Sequence, residues 1–356
     1  MGTGVRPGGK GVGVRIALIA PPWSTIPPSG YGGIEWVVAL LADGLIDRGH
    51  DVTLYAPAGS RTKARLVSPL DDVPPQDMIG NPWYEASHAV SAYYQANEYE
   101  LLHDHMGPVG VSIGALVDRP TVHTLHGPFT SQALDLYGRL ARRLWFVAIS
   151  KSQQRAAPDG LRWAGVVYNG IALDHYPFAE RKDDFLLFLG RVDSEKAPDL
   201  AIEAARRAGR RLVMCIKLAN EVEQRYWREK VEPLLGDDID VRGECGHEEK
   251  AELLASAAAL LFPVQWPEPF GLVMVEAMAC GTPVVAWRNG ATPEVVVHGK
   301  TGWLADSMDE FVAGIDALDQ LDPHAIRQDV SERFSAERMV DGYERAYRRA
   351  LTGDAP

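Results

Sequence analysis

The sequence predicts an α/β protein with two doubly wound parallel sheets, and three observations support this prediction. From residue 14 onward, short β-branched segments alternate with amphipathic helices, which is the pattern of βαβ units around a parallel sheet. A charged, proline-containing stretch at residues 171–184 interrupts the alternation, which then restarts. The 356 residues are enough for two domains with separate cores. We therefore expect a ligand-binding cleft between the two halves.

In the first half, runs of apolar and β-branched residues predict six strands. They cover residues 15–20, 51–56, 101–104, 121–125, 145–149 and 165–167. Between the first two strands, residues 34–48 carry apolar side chains at helical spacing, and Gly49 follows as a stop signal.

The second half repeats this alternation. Its predicted strands are 185–189, 211–216, 239–241, 259–262, 283–286 and 302–304, and its predicted helices are 197–208, 222–234, 248–257 and 271–280. A last helix, 336–351, follows these strands, and the pattern alone would assign it to the second domain.

Composition limits the classes of partner and the cellular location. The net charge of −12 disfavours nucleic acid and anionic lipid as partners. No apolar run approaches the roughly 18 residues that a membrane span needs. Residues 1–13 lack the apolar core of a secretion signal, so we expect a disordered tail and a cytoplasmic protein.

The three cysteines are far apart and form no CxxC pair. Cys215, Cys245 and Cys280 are therefore expected to be small buried apolar residues, with no disulfide framework, as in a reducing cytosol.

The segment around residue 270 is the most informative about function. Pro267 and Pro269 prevent a regular helix before Phe270, so a helix is expected to begin near Gly271. Its first amides would be free donors at a positive helix end, which suits a diphosphate. These amides belong to Gly271, Leu272 and Val273.

Two glutamates flank this helix start. Glu276 would lie roughly 7.5 Å along the helix axis, where a carboxylate can accept hydrogen bonds from ribose hydroxyls. Glu268 precedes the helix and would face the other side of the diphosphate, where the sugar of a bound nucleotide-sugar donor would lie. The alternative is that both are exposed acids at a helix end, where Glu268 is favoured by the helix dipole.

Two cations follow the first strand of the second half. Arg191, next to Gly190, and Lys196 come at the carboxyl edge of the sheet, where such folds bind ligands. They could neutralise the charge that grows on a leaving diphosphate, a role that a metal fills in other folds. The alternative is a solvated loop before a helix.

A glycine-rich loop precedes the first helix. Gly32 and Gly33 would let backbone amides approach a phosphate closely. The loop is not GxGxxG and is too long for the tight dinucleotide turn, which disfavours a nicotinamide or flavin enzyme.

These segments, in this order, resemble family 4 of the retaining glycosyltransferases, whose members have the two-domain GT-B fold. The resemblance covers nearly the whole chain. It is carried by residues 32–35, 48–52, 168–171, 190–191 with 196, 268 with 276 (the family's Glu-x7-Glu pattern), 281–286 and 302.

The resemblance implies a role for each matching residue. The Gly33 amide, Arg191 and Lys196 would bind the diphosphate, Glu276 the ribose, and Glu268 the hydroxyls of the donor sugar. His126 lies where the family has a histidine near the donor sugar, although a histidine after an apolar strand is more often structural. The other donor-site residues would be Gly32, Gly190, Phe270, Gly271, Leu272 and Val273.

The resemblance also implies the architecture and the reaction. Two Rossmann-like domains would face a cleft, and the last helix would cross back to the first domain. An acceptor domain would comprise residues 14–178 with 336–356, and a donor domain residues 184–335. The expected reaction is metal-independent transfer of a hexose such as glucose, with UDP the commonest nucleotide, to a hydroxyl acceptor. No cofactor is expected, the membrane would be contacted at most peripherally, and the chain would be a monomer or homodimer.

Several alternatives stay open at this stage. The same fold serves nucleotide-sugar epimerases and phosphorylases, and a non-catalytic nucleotide-sugar-binding protein belongs to a different class. His103 and His105, or His123 and His126, could chelate a metal, but no third ligand follows at sensible spacing, which favours structural histidines. The basic run 139–145 could touch an anionic or lipid acceptor, but a solvated helix face is favoured.

Overall fold

A computed structural model of the chain describes residues 13–28, 30 and 32–353. Apart from Gly13, the predicted tail lies outside the described residues, as does Tyr31 of the glycine-rich loop. Within the described ranges, no helix is both long enough and apolar enough to cross a membrane.

The first domain is a seven-stranded parallel sheet with helices on its faces. The strand order is β3-β2-β1-β4-β5-β6-β7. The strands are β1 (Arg15–Ile19), β2 (Asp51–Tyr55), β3 (Arg65–Val67), β4 (Leu101–Asp104), β5 (Thr121–Leu125), β6 (Trp145–Ala148) and β7 (Trp163–Val166). The helices are α1 (Gly33–Asp47), α2 (Pro82–Tyr94), α3 (Pro108–Gly114), α4 (Ser131–Leu140) and α5 (Lys151–Ala156).

The second domain has a six-stranded parallel sheet of order β10-β9-β8-β11-β12-β13. Its strands are β8 (Phe185–Arg191), β9 (Arg211–Lys217), β10 (Ile239–Arg242), β11 (Ala259–Phe262), β12 (Val284–Trp287) and β13 (Gly302–Ala305). Its helices are α6 (Pro198–Arg207), α7 (Glu221–Tyr226), α8 (His247–Ser256), α9 (Leu272–Ala279), α10 (Thr292–Val295), α11 (Met308–Asp316) and α12 (Pro323–Arg333).

Helix α1 shows how sequence produces these elements. Its side chains Val37, Val38, Leu41 and Leu45 recur at helical spacing and are buried against the first sheet. The helix ends where Gly49 takes a positive φ of 86°, a conformation that a residue with Cβ rarely adopts.

The predicted fold class is confirmed, and every predicted strand is present within two residues of its predicted ends. Strand β3 was missed because its three residues are too short for a periodic signal. The helix predicted at 222–234 is wrong in its second half, where α7 is followed by a π-helical turn and a 3-10 turn. Pro233 is the cause, because it lacks an amide hydrogen and its ring clashes with the carbonyl one turn earlier.

The last helix, α13 (Ala336–Thr352), packs on the first domain against α1, β5 and β7. Tyr347 Oη lies 2.7 Å from His103 Nδ1, and Thr124 donates to Tyr343 Oη at 3.2 Å. The helix pattern alone misplaced this element because an apolar face does not indicate which of the two domains it packs against. The exact domain boundaries stay a prediction.

The chain crosses between the domains twice, and the two crossings lie side by side. The Ile171 amide donates to the Phe334 carbonyl at 2.9 Å, and the Ala336 amide donates to the Ile171 carbonyl at 3.0 Å. A short parallel bridge therefore joins the two crossing segments.

Candidate functional site

A cleft between the domains contains about 880 Å³ of atom-free space, part of which is open solvent. It collects residues from both sheets at their carboxyl ends, as doubly wound folds do. Nine of the residues singled out from the sequence line it, namely Gly32, Gly33, Gly190, Lys196, Glu268, Gly271, Leu272, Val273 and Glu276.

The helix start at residue 271 has the geometry of an anion site. Gly271 precedes α9 with φ 79°, a backbone conformation that residues with a Cβ rarely adopt. Helix α9 begins at Leu272, one residue after the predicted start. The amides of Leu272 and Val273 are in the first turn, where no intrahelical acceptor exists, and both residues line the cleft.

Lys196 and Glu268 form an ion pair inside the cleft. Lys196 Nζ lies 2.6 Å from Glu268 Oε2, with the two side chains 21% and 12% exposed. The ammonium also lies 5.3 Å from the centre of the Trp266 ring, within cation–π range. The Glu268 carbonyl accepts the Ala291 amide at 2.9 Å, which fixes the loop that carries this glutamate.

Glu276 is buried on α9 and held by two residues that the sequence did not identify. Its Oε1 accepts from Tyr176 Oη at 2.8 Å and lies 2.7 Å from Lys250 Nζ on α8. Burial and the nearby Glu276 charge raise the pKa of Tyr176, so its hydroxyl remains a donor. Because both partners contact Oε1, Oε2 is the oxygen of this carboxylate that a ligand hydroxyl would meet.

The first domain contributes a second helix start to the cleft. Helix α1 begins at Gly33, whose added Cβ would lie 3.6 Å from Leu272 Cδ2 of the other domain. At Gly32, a Cβ would lie 2.8 Å from the Pro28 ring and 2.9 Å from Glu35 Oε2, so this position has no room for a side chain. Burial raises the pKa of Glu35, and the charge of Lys217 opposes that shift.

The cleft has a further wall formed by β9, the loop after β10 and α1. Lys217 Nζ lies 3.1 Å from Glu244 Oε1, and Trp36 of α1 lies 5.0 Å from the His247 ring. Sequence reasoning missed these lining residues because each is isolated in the chain. Tyr176, Lys250 and Trp36 have no local pattern that would have identified them.

The expectation of no disulfide is wrong, because Cys215 and Cys245 are joined by one. Cys215 is near the end of β9, and Cys245 follows β10 by three residues. Since β9 and β10 are paired neighbours, they bring together two residues that are 30 apart in sequence. Cys280 is a free buried cysteine, as predicted.

The predicted diphosphate ligand Arg191 points elsewhere in this structure. Its guanidinium is bound to the buried carboxylate of Glu223, with Nε donating to Oε1 at 2.6 Å. Glu223 also accepts hydrogen bonds from the backbone amide of Ala219 and from the side-chain amide of Asn220, which fix it in place. Arg191 is therefore not a lining residue here, and its predicted contact with a diphosphate stays a prediction.

His126 and Phe270 also lie outside the lining of the cleft. His126 Nε2 lies 2.8 Å from His105 Nδ1, and the two rings stack with centroids 5.0 Å apart. Burial lowers the pKa of His126 to about 3, which keeps its ring neutral. Phe270 is buried between Tyr168 and Phe334, so its side chain packs in the core.

The histidine pairs considered as metal ligands have other partners. His103 lies 2.7 Å from Tyr347 Oη and 2.8 Å from Thr124 Oγ1. In the part of the chain that the structure describes, no group of three or more His, Cys, Asp or Glu side chains is arranged to hold a metal ion.

Comparison with known proteins places the chain among enzymes that transfer sugars. Residues 175–333 match the family described as "Glycosyl transferases group 1", and residues 31–175 match "Glycosyltransferase Family 4". A glycogen synthase of Mycobacterium tuberculosis is 28% identical, over 96% of this chain and 91% of the relative.

Solved structures agree in fold. AviGT4, a glycosyltransferase involved in avilamycin A biosynthesis, is 28% identical with a TM-score of 0.71, over 96% of this chain and 99% of that one. HepE of Anabaena, solved with UDP and glucose, is 21% identical with a TM-score of 0.73, over 94% of this chain and 99% of that one. The second likeness shows the fold alone.

Proposed function

Because the chain belongs to family 4 of the glycosyltransferases, we propose that it moves a hexose from a UDP-sugar to a hydroxyl group of a glycan or small molecule. Glycosyl transfer follows from the family. The UDP carrier, the hexose, the metal independence and the retention of anomeric configuration are the proposed parts.

The observation that carries the proposal is the order of groups along the cleft. The amides that start α9 lie between Glu268, which precedes the helix, and Glu276, which is within it. A diphosphate on the helix start would therefore have a sugar toward Glu268 and a ribose toward Glu276. That HepE binds UDP and glucose supports UDP-glucose as the first donor to test.

The proposed chemistry is a displacement on one face of the sugar. The bond from the anomeric carbon to the diphosphate oxygen breaks, and the acceptor oxygen forms its new bond on the same face. The acceptor proton passes to the departing diphosphate oxygen. Charge that develops on the diphosphate is stabilised by Lys196 and by the amides of Leu272 and Val273, which are fixed in place before the reaction.

Glu268 is assigned to binding rather than to nucleophilic attack. Retaining glycosidases use one carboxylate as nucleophile and another as acid or base. Here the Glu268 carboxylate is already paired with Lys196 at 2.6 Å, an arrangement that orients it to accept sugar hydroxyls. Arg191 follows the lining residue Gly190, so its guanidinium would join the diphosphate by leaving Glu223.

The experiment is a thermal-stability screen with UDP, GDP, ADP, TDP and NAD, with EDTA present throughout. A ligand at 100 times its Kd adds about 2.7 kcal/mol to the free energy of unfolding, which is readily seen. We expect the largest shift with UDP. A shift only with NAD, or none with any nucleotide, would overturn the donor site.

A second step tests the reaction. The protein is incubated with UDP-glucose and a panel of hydroxyl acceptors, and the anomeric configuration of the product is read by NMR. Retention supports the proposed displacement, and inversion rejects it. Release of an epimer without acceptor, or a dependence on inorganic phosphate, would instead indicate an epimerase or a phosphorylase.

A further inference from the structure

The Cys215–Cys245 disulfide lines the proposed donor cleft. Both cysteines border it, together with their neighbours Lys217 and Glu244. The bond connects the end of β9 to the loop at residues 243–246, which joins β10 to α8. The disulfide is therefore part of the wall of the cleft and does not lie on a surface remote from it.

This loop directly precedes the residues that hold Glu276. Helix α8 begins at His247, which packs against Trp36 of the first domain, and one turn later Lys250 contacts Glu276. Since Glu276 is the proposed ribose ligand, the loop forms the nucleotide end of the cleft. The loop therefore leads directly into the first turn of α8, which carries Lys250.

Two of the four residues of the loop, Gly243 and Gly246, face open space, because an added Cβ would meet no atom within 4 Å. Glu244 is exposed and forms an ion pair with Lys217. Glycines have more conformational freedom than other residues, and the covalent bond at Cys245, between these two glycines, restrains the loop.

We propose that the Cys215–Cys245 pair is a redox-modifiable site that controls donor binding, in which a thiol reductant opens the bond, frees the loop and weakens nucleotide affinity. This inference rests on the proposed donor site. In the oxidised protein the loop is already ordered as part of the cleft wall. In the reduced protein the loop must become ordered each time a nucleotide binds, and this lowers the affinity.

The exchange has a defined direction. Cys215 is 5% exposed and Cys245 is partly exposed, so an attacking thiolate reaches the Cys245 sulfur. The new bond forms to Cys245 Sγ, the S–S electron pair goes to Cys215 Sγ, and that sulfur takes a proton. A second thiolate of the reductant then displaces Cys245, which is protonated, and the reductant leaves as a disulfide.

The first measurement counts thiols in denaturant with a chromogenic disulfide reagent. Protein purified without reductant should give one thiol, from Cys280, and protein treated with dithiothreitol should give three. Three thiols before treatment would show that the bond does not form, and the proposal would be wrong.

The second measurement is calorimetric titration of oxidised and reduced protein with UDP, GDP and ADP. We expect the Kd for the bound nucleotide to rise about five- to tenfold on reduction. The apparent Kd rises by the same factor by which the binding-competent fraction of the protein falls. Cys245→Ser should have the weaker affinity under both conditions. Cys280→Ala is the matched control, because it lacks the other cysteine and should still respond to reductant.

The outcomes separate this inference from the proposed function. Equal nucleotide affinity in the oxidised and reduced states overturns redox control and leaves the donor site intact. Failure of all three nucleotides to bind in either state overturns the donor site, and redox control with it.

Discussion

Glu294 in the second domain accepts a hydrogen bond from the amide of Ser152 in the first domain, with Oε1 at 2.6 Å. Its other oxygen accepts the Lys151 amide at 2.8 Å and the Tyr168 hydroxyl at 2.9 Å. The carboxylate thus lies at the start of α5, where amides lack intrahelical partners and a negative charge is favoured. One partly buried side chain on α10 therefore connects the two domains.

Replacing this carboxylate should loosen the contact between the two domains. In Glu294→Gln, we expect turnover to fall about 10- to 150-fold, because a hydrogen bond to a charged group contributes about 1.5–3 kcal/mol. The Kd for UDP should change less than threefold, since most of the donor groups belong to the second domain. Steady-state kinetics measures turnover, titration calorimetry measures the Kd, and small-angle scattering measures the radius of gyration, which should increase in the variant.

The control for that variant is Glu221→Gln, which neutralises an exposed glutamate of α7. It should match the wild type in turnover and in radius of gyration. Full activity in Glu294→Gln would show that closure does not depend on this contact.

Lys196 is expected to act on the transition state. Lys196→Ala removes the ammonium beside Glu268, and losing one such electrostatic contact typically lowers turnover 10²–10³-fold. Single-turnover transfer from UDP-glucose measures the chemical step directly. Lys230→Ala removes an exposed lysine and should have no effect. A Lys196→Ala rate within fivefold of wild type would reject the proposed role.

Arg191 allows a separate test of its predicted diphosphate contact. Arg191→Ala should lower turnover by a similar 10²–10³-fold if the guanidinium moves from Glu223 to the diphosphate. Glu223→Gln weakens the resting ion pair but keeps Arg191, so it should retain most of the activity. Equal losses in both variants would instead mean that the pair only supports the loop before α7.

Glu276 should recognise the ribose and can be tested with a modified ligand. Wild-type protein should bind UDP more tightly than 2′,3′-dideoxy-UDP by about 10- to 150-fold, since a hydrogen bond to a charged group contributes about 1.5–3 kcal/mol. Glu276→Ala should bind both nucleotides equally weakly. Titration calorimetry supplies the four Kd values, and an unchanged preference for UDP in the variant would place the ribose elsewhere.

His88 should make stability depend on pH. Burial lowers its pKa from 6.5 to about 4, so between these pH values the unfolded chain binds the proton and the folded protein does not. Its stabilising contribution is therefore complete above pH 6.5 and is lost as pH falls toward 4.

In His88→Gln this loss is absent. The free energy of unfolding of the variant, relative to wild type, should accordingly rise by about 3 kcal/mol from pH 6.5 to pH 4. Urea titrations at four pH values measure it, with the exposed His324→Gln as control. A constant difference between variant and wild type would contradict the buried neutral histidine.

The parts of the fold and site that were predictable from sequence have local causes. Gly271 needs a positive φ that only glycine accepts readily, and Pro267 and Pro269 restrict the chain before it, so the helix start could be read directly. The strands other than β3 could be found because each is a compact run of apolar residues. The alternation of strands and helices then determines a doubly wound fold.

The rest depends on contacts between residues that are distant in sequence. Tyr176 and Lys250 meet Glu276 across 100 and 26 residues, and neither position carries a signal of its own. Arg191 was predicted from its place at a strand end, but Glu223, 32 residues later, binds it in this structure. The Cys215–Cys245 bond likewise follows from strand order, which spacing alone did not reveal.

The parallel bridge between Ile171 and the segment at residues 334–336 determines how the cleft can open. A single tether would allow the second domain to swivel freely, whereas two tethers joined by a pair of backbone hydrogen bonds resist torsion. We therefore expect the cleft to open mainly by rotation about a line through the bridge. Substrate entry and product release would then depend on the same motion, and a substitution that stiffens the bridge would slow both.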